Sequence, residues 1–223
     1  MPESILQTLA AQSDMLSSAW AYLQRGGIFM IPLGLTSVAG VMAIVFKALA
    51  LSKSRIVPEP LARDIDQFQQ HVIADRVEPV IRKFEKGDSA LARLAAVVIK
   101  HRGKSRAEIT HAVESAARVE TVHMHAGISV IDTVITIAPL LGLLGTASGL
   151  VTIFEGLGDN SDHLAIAKGI AEALTTTIFG LAIAVPCVIA HGFFIRRIEM
   201  LTARLEALLA DLTAVCENPN PNA

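Results

Sequence analysis

Three long stretches of the chain contain no charged residue. They cover residues 27–46, 133–154 and 173–195, which is 20, 22 and 23 residues. A helix needs about 20 apolar residues to cross the hydrocarbon core of a bilayer, so each stretch is long enough by itself. Three such helices buried inside a water-soluble protein of 223 residues would leave too little chain to cover them. The pattern therefore predicts an all-α integral membrane protein with three transmembrane helices.

The polar segment between the first two stretches also has helical patterns. Pro58 and Pro60 are placed to open an amphipathic helix, because proline is favoured in the first helical turn. The Gly-Asp-Ser sequence at residues 87–89 breaks the chain before a helix over residues 90–101, and Gly103 breaks the chain again. This segment is therefore predicted to be a helical domain and not a linker.

Two of the predicted membrane helices have extensions beyond the bilayer. Ser105 and Glu108 have the spacing of a capping box, in which each side chain accepts a hydrogen bond from a free backbone N–H. No further helix-breaking residue precedes Gly127. The helix that starts after Ser105 is therefore predicted to continue into the second apolar stretch. Beyond the third stretch, residues 196–215 form an amphipathic extension. Its apolar stripe consists of Ile198, Leu201, Leu205, Leu208 and Leu212.

These patterns divide the chain into seven segments. The first is an amphipathic helix at the periplasmic membrane surface, with Trp20 and Tyr22 as aromatic anchors. The alternative is that this helix is buried against a neighbouring span. The two predicted extensions belong to the cytoplasmic parts. In chain order the segments are 1–26 (periplasmic helix), 27–52 (first span), 53–130 (cytoplasmic helical domain), 131–154 (second span), 155–168 (periplasmic loop), 169–195 (third span) and 196–223 (cytoplasmic helix and tail).

Composition supports the membrane prediction and argues against several classes of function. Hydrophobic residues make up 52% of the chain and charged residues 18%, whereas soluble domains carry about 25% charged residues. The net charge of −2 offers no basic excess for nucleic acid, and two cysteines do not make a secreted disulfide framework. His123 and His125 are two residues apart and do not share a helix face, so no metal site is expected, and no cofactor.

The distribution of charge predicts the orientation in the membrane. Residues 53–130 hold 13 Lys and Arg against 10 Asp and Glu, and Arg196, Arg197 and Arg204 follow the third span. Residues 1–26 and 155–168 are net negative. Positive charge close to membrane ends favours the cytoplasmic side. We therefore expect a multi-pass membrane protein with its N-terminus outside and with the long polar segment and the C-terminus in the cytoplasm.

Charged residues within or beside the spans are the sharpest clue to function, because a charge in hydrocarbon costs at least about 2.5–3.5 kcal/mol. Lys47 and Asp132 are predicted at the cytoplasmic ends, where their side chains can reach the headgroups. Glu172 lies one turn into the third span and is followed by three threonines. A proton-pathway role is favoured for Glu172. The alternative is a carboxylate at the outer interface, stabilised by the helix N-terminus.

A polar stripe runs along the second span. At 100° per residue, five residues fall within about 40° of one line. Hydrocarbon cannot satisfy a polar stripe, so it should face the bundle interior or a hydrated path. The alternative is that each threonine only bonds to its own helix. The sequence Gly145-x-x-x-Gly149 on the same span is a pattern for close helix approach. The stripe consists of Asp132, Thr136, Pro139, Leu143 and Thr146.

The two later spans carry sequences that resemble a known family. Residues 138–149 read Ala-Pro-Leu-Leu-Gly-Leu-Leu-Gly-Thr-Ala-Ser-Gly. Residues 169–181 read Gly-Ile-Ala-Glu-Ala-Leu-Thr-Thr-Thr-Ile-Phe-Gly-Leu, and residues 184–186 read Ala-Val-Pro. Both motifs resemble the ExbB/TolQ/MotA proton-channel family, and the resemblance extends over nearly the whole chain. The chain departs from the family at Phe46-Lys47, where Glu-Arg is frequent.

The resemblance implies a set of proton-pathway residues. The family's pore threonine and glutamate correspond to Thr146 and Glu172, and its second threonine corresponds to Thr177. A helical wheel instead places Thr176 about 40° from Glu172 and Thr177 about 140° away. Thr177 is favoured and Thr176 is kept as the alternative, with Thr136 and Pro139 as further pore-lining candidates.

The resemblance also implies a location, partners and an activity. The implied location is the bacterial inner membrane, with the N-terminus in the periplasm and the C-terminus in the cytoplasm. Family members form a homopentamer around a dimer of a single-span, ExbD- or TolR-like protein, with a TonB- or TolA-like protein as a further partner. We therefore expect a membrane-embedded subunit that converts proton motive force into mechanical work on that partner, and that binds no nucleic acid. The alternative is a non-conducting oligomeric scaffold that anchors the partner. An enzyme is not expected, because Cys187 and His191, four residues apart, are explained by packing and by the headgroup level.

Overall fold

The computed structural model describes residues 28–73, 77–156 and 163–217. Within these ranges the chain forms nine α-helices and no β-strand, which confirms the all-α prediction. The predicted N-terminal helix and residues 157–162 of the predicted 155–168 loop lie outside the described residues, whereas residues 163–168 of that loop are helical. The helices are α1 (Met30–Ala50), α2 (Lys53–Ile56), α3 (Glu59–Asp66), α4 (Phe68–Ile73), α5 (Glu78–Lys86), α6 (Ala90–Lys100), α7 (Arg106–His125), α8 (Ile128–Glu155) and α9 (His163–Cys216).

Helices α1, α8 and α9 are long and apolar enough to cross a membrane. Their most apolar windows have mean hydropathies of 1.9, 2.0 and 2.3. Many large apolar side chains on these helices are exposed in the single chain, among them Leu35, Met42 and Ile189. Such exposure is what lipid or further protein chains would cover. The three predicted spans are therefore confirmed as helices of membrane-spanning length.

The described chain divides into two compact units. Residues 28–44 and Val130–Ala190 form the first, which we name the apolar unit. Residues 45–129 and 191–217 form the second, which we name the amphipathic unit. Helices α8 and α9 each contribute residues to both units.

Within the apolar unit, α1 approaches α8 and α9 at Gly40. A Cβ atom placed on Gly40 would lie 3.1 Å from Cys187 Sγ and 3.2 Å from Val134 Cγ1. Glycine therefore lets the three helices come together at this level, and Cys187 is buried as a packing residue. Pro32 lies in the first turn of α1, where a missing N–H breaks no helical hydrogen bond.

The predicted continuous helix from residue 106 into the second span is wrong. Helix α7 ends at His125, α8 begins at Ile128, and Gly127 between them has φ = +83°. That left-handed conformation is accessible to glycine and ends a helix. The apolar periodicity continues through this point, so the break is visible in the sequence only as a single glycine.

The core of the amphipathic unit forms around α6, and most side chains of this helix are buried. Leu91, Leu94 and Val98 are fully buried, and the rings of Phe68 and Phe84 lie 6.3 Å apart. Ser89 Oγ accepts a hydrogen bond from the N–H of Ala92 and so caps the helix, as Ser-initiated helices do.

Two further sequence predictions for this unit are confirmed. Ser105 Oγ accepts from the N–H of Glu108, and Glu108 Oε2 accepts from the N–H of Ser105, which is the predicted capping box. Helix α9 continues without a break to Cys216, so the predicted extension of the third span is present. The whole predicted apolar stripe of this extension is buried: Ile198, Leu201, Leu205, Leu208 and Leu212.

Candidate functional site

A series of small residues holds α8 and α9 close together in the apolar unit. A Cβ placed on Gly180 would lie 2.6 Å from the carbonyl oxygen of Ala138, and one on Gly142 would lie 2.9 Å from that of Thr176. Added Cβ atoms on Gly145 and Gly149 would also come within 3 Å of α9. Only glycine fits at such separations, so the predicted close-approach pattern is confirmed. We name Gly142, Gly145, Gly149 and Gly180 the glycine seam.

Three threonine hydroxyls meet at the middle of the glycine seam. Thr146 Oγ1 on α8 is hydrogen-bonded to Thr177 Oγ1 on α9 and lies 3.4 Å from Thr176 Oγ1. The Gly142 carbonyl oxygen lies 3.1 Å from both the Thr176 and the Thr177 hydroxyls. The Ala173 carbonyl oxygen lies 3.1 Å from Thr146 Oγ1. We name these three side chains the threonine cluster.

The threonine cluster differs from the other threonines of the two helices. The hydroxyls of Thr136 and Thr175 donate to carbonyls four residues earlier in their own helices, at 3.1 and 2.8 Å. Such local bonds satisfy the hydroxyl and leave nothing to link two helices. In the cluster each hydroxyl has a partner on the other helix, although Thr146 and Thr176 also lie 3.2 and 2.8 Å from carbonyl oxygens of their own helices. A hydroxyl both donates and accepts. The cluster can therefore form a short hydrogen-bonded chain between α8 and α9.

The structure brings both candidate threonines of α9 to Thr146. Thr176 is 1% exposed and lies in the seam itself, whereas Thr177 is half-buried at its side. The helical wheel alone separates the two by 100°, and a single helix cannot tell which of two adjacent residues a partner helix contacts. Because the helices approach so closely, both hydroxyls reach the same acceptor, Gly142 O.

Glu172 lies one turn before Thr176 on α9. Its side chain is half-buried, and no described residue forms a hydrogen bond or an ion pair with its carboxylate. The neighbouring Ala173 contacts Gly149 of the glycine seam, so the backbone at Glu172 is held against α8. The structure thus fixes the position of Glu172 near the cluster without placing it in the hydrogen-bonded chain.

The predicted polar stripe lies on the face of α8 that the single chain leaves open. Asp132, Thr136 and Leu143 are exposed, and Pro139 and Thr146 are half-buried. The opposite face of α8 is buried through Ile131, Val134 and Ala138. A second protein chain or a hydrated path could therefore contact the stripe without any rearrangement of the apolar unit. The described residues contain no group of three His, Cys, Asp or Glu placed to hold a metal ion.

An ion pair in the amphipathic unit was not predicted from the sequence. Arg93 on α6 donates from Nε and Nη2 to the two carboxylate oxygens of Glu120 on α7, at 2.6 and 2.7 Å. These hydrogen bonds hold the pKa of Glu120 below its ordinary value and raise the pKa of Arg93. The two residues are 27 positions apart, so no local spacing links them.

The chain resembles proton channel and biopolymer transport proteins. Residues 68–207 match the MotA/TolQ/ExbB proton channel family. The chain is 32% identical over 128 residues to an ExbB homolog of Methanothermobacter thermautotrophicus, covering 57% of this chain and 46% of that protein. It is 31% identical over 170 residues to an ExbB-like biopolymer transport protein of Synechocystis sp., covering 72% and 64%. It is 25% identical over 221 residues to the biopolymer transport protein ExbB of Xanthomonas campestris, covering 94% and 86%.

Proposed function

The chain belongs to the MotA/TolQ/ExbB proton channel family, and from this membership we propose that it is a proton-conducting subunit of a membrane motor. The hydrogen bond between Thr146 and Thr177 carries the proposal, because it links two membrane-spanning helices through groups that can relay a proton. Glu172 supplies a titratable carboxylate one turn away. Its lack of a described partner leaves it available to a proton or to another chain.

The proposed complex is a homopentamer around a single-span partner dimer of ExbD or TolR type. The open polar stripe of α8 supports this arrangement, because it provides a surface that the single chain does not cover. Thr136 and Pro139 on that stripe would line the pore together with Thr146. A TonB- or TolA-like protein would then receive the motion.

The energy available suits mechanical work. One proton that crosses about 100 mV releases about 2.3 kcal/mol, so several protons per step can drive a rearrangement. The three predicted spans of this chain carry no carboxylate at mid-span, because Asp132 lies at the predicted cytoplasmic end of the second span and Glu172 lies one turn into the third. The acid that picks up and releases each proton would therefore reside on the partner, while the threonine cluster and Glu172 shape and hydrate its path. The proposed role is transport and not catalysis.

The proposed location is the bacterial inner membrane, with the N-terminus in the periplasm and the amphipathic unit in the cytoplasm. The surplus of Lys and Arg in residues 53–130 supports this orientation. In this arrangement the cytoplasmic helical domain anchors the spans, and the process energised is transport or maintenance across the envelope.

The experiment is a proton-flux measurement on the chain purified with an ExbD- or TolR-like single-span protein and reconstituted into liposomes. We expect the complex to dissipate a pH gradient and the Glu172→Gln variant to lose most of this flux, because the carboxylate is removed while the side-chain shape is kept. The matched control is Glu155→Gln, an exposed carboxylate at the end of α8. Flux in the complex that does not exceed empty liposomes would support the scaffold alternative. Equal flux in Glu172→Gln would remove Glu172 from the path.

A further inference from the structure

Lys47 is a buried cation at the end of the first membrane-spanning helix. Its side chain is 1% exposed, although the sequence predicts that it reaches out to the headgroups. The ammonium group donates to the carbonyl oxygens of Met124 and Ala126, the latter at 2.8 Å. These carbonyls belong to the end of α7, where the helix dipole places partial negative charge. Lys47 therefore caps α7 just before the break at Gly127.

The charge of Lys47 is only partly compensated by this capping. An ammonium group has three N–H donors, and two of them are used by the carbonyls. Within the described ranges Lys47 forms no ion pair with a carboxylate. A buried charge without an opposite charge is unfavourable, so a further acceptor beside Lys47 would stabilise this arrangement.

A cavity of about 200 Å³ lies beside Lys47. We name it the Lys47 cavity. It is large enough for roughly six water molecules at their liquid volume, or for one phosphate group together with the first atoms of the molecule that carries it. Its charged and polar lining consists of Lys47, Arg55, Asp88, Arg93, Glu120 and His123.

The lining of the Lys47 cavity has an excess of positive charge. Arg93 and Glu120 neutralise each other, and the remaining Arg93 donor Nη1 bonds to the backbone carbonyl of Asp88 at 2.6 Å. Lys47 and Arg55 then face a single carboxylate, that of Asp88. Arg55 is exposed and forms no ion pair within the described ranges, so its guanidinium is available to a ligand.

We propose that the Lys47 cavity binds a phosphate group. A lysine ammonium supplies a point charge and an arginine guanidinium supplies a planar fork, and this pair of donors suits the tetrahedral oxygens of phosphate. One side of the cavity is lined by residues from Lys47 to Ile56, where the apolar helix α1 ends at Ala50. Lipid phosphates lie at this level of a bilayer, so the headgroup of a phospholipid is the source that the position favours.

The test uses the full chain, purified in detergent and depleted of lipid. Native mass spectrometry measures the binding of short-chain phosphatidylglycerol in one series and of inorganic phosphate in another. We expect one lipid per chain at saturation and an affinity about fivefold lower in Arg55→Gln, the change that one surface arginine makes near an anionic lipid. The matched control is Lys104→Gln, another exposed basic residue of the same unit that does not line the cavity.

The two series identify the source of the phosphate. Lipid binding that inorganic phosphate does not displace assigns the cavity to a phospholipid headgroup, whereas saturable binding of inorganic phosphate assigns it to the free ion. Lys47→Met should abolish binding of either. If that variant does not fold, Arg55→Gln and its control still decide the question. Absence of stoichiometric binding, or equal affinity in the wild type, Arg55→Gln and Lys104→Gln, would overturn the proposal.

Discussion

Helix α9 packs in two different ways along its 54 residues. In the apolar unit its contacts with α8 are made by Ala173, Thr176 and Gly180, which bring the two backbones together. In the amphipathic unit its buried side chains are large and branched, as at Ile198, Leu205 and Leu212. One continuous helix therefore uses small residues in one unit and large residues in the other.

The difference follows from the solvent around each half. In water the burial of a leucine side chain contributes about 1.5–3 kcal/mol, so large apolar residues drive packing. In a bilayer the lipid tails are as apolar as leucine, and helices associate through close contact and through hydrogen bonds between them. The glycine seam and the threonine cluster are typical of packing in a bilayer, and the buried leucine stripe is typical of packing in water.

The polar contacts of the two units also match the solvent around each of them. The amphipathic unit uses ion pairs, including Arg93–Glu120 and Arg204–Glu59. The apolar unit uses neutral hydroxyls against backbone carbonyls, as at Thr176 and Gly142. Neutral groups avoid the cost of a charge in hydrocarbon.

The largest expected effect is the loss of a buried leucine from the amphipathic unit. Leu212 is 0% exposed, and Leu212→Ala should destabilise the unit by about 2–5 kcal/mol, because it removes apolar contacts and leaves a cavity. Thermal unfolding in detergent and amide exchange along α9 measure this. The control Leu181→Ala, which is 50% exposed in the apolar unit, should change stability by less than about 0.5 kcal/mol. Equal losses in both variants would contradict the comparison.

The next effect is overpacking of the glycine seam. Gly180→Ala would place a Cβ 2.6 Å from a backbone oxygen that cannot move aside, and should destabilise the apolar unit by about 1–3 kcal/mol. Gly192→Ala on the same helix meets no atom within 4 Å and should be neutral or stabilising, since alanine is the better helix former. Both are read from the unfolding temperature. A seam that tolerates Gly180→Ala as well as Gly192→Ala would not be close-packed.

A smaller effect is expected at the Arg93–Glu120 pair, and it depends on pH. The folded pKa of Glu120 lies below its unfolded value, so the pair stabilises the protein above the unfolded pKa. This contribution is lost as the pH falls through the folded pKa. Glu120→Gln should cost about 1 kcal/mol at pH 7 and little once the pH lies below that folded value.

The measurement for this prediction is the unfolding temperature as a function of pH. The control is Asp64→Asn, which breaks the pair of Asp64 with the exposed Lys83 and should cost less than about 1 kcal/mol. A wild-type minus Glu120→Gln difference that stays constant from neutral to acidic pH would show that the variant acts through packing and not through charge.

Much of the fold could be predicted from periodicity and local spacing. The three spans, the capping box of Ser105 and Glu108, and the extension of α9 depend on residues close together in the chain, and all three are present. The break at Gly127 was not predicted, because the apolar pattern runs across it and one glycine in a helix is tolerated. Local patterns therefore define elements well and their junctions poorly.

The candidate site could be predicted only in part. Sequence motifs identify Thr146, Thr176 and Thr177, but the distance between α8 and α9 decides which hydroxyls meet, and that distance is set by the whole glycine seam. The burial of Lys47 depends on carbonyls 77 and 79 residues away. No spacing along the chain carries that information, because it arises from the packing of distant helices.

We propose that the hydroxyl contact between Thr146 and Thr177 is part of a proton path, a claim that proton flux in the reconstituted complex can test. Thr177→Val removes the hydroxyl that crosses between helices, whereas Thr175→Val removes one that bonds only within α9. We expect flux to fall about tenfold in Thr177→Val, which corresponds to about 1.4 kcal/mol in the barrier, and to stay unchanged in Thr175→Val. Equal flux in the two variants, at equal incorporation into the liposomes, would contradict the claim.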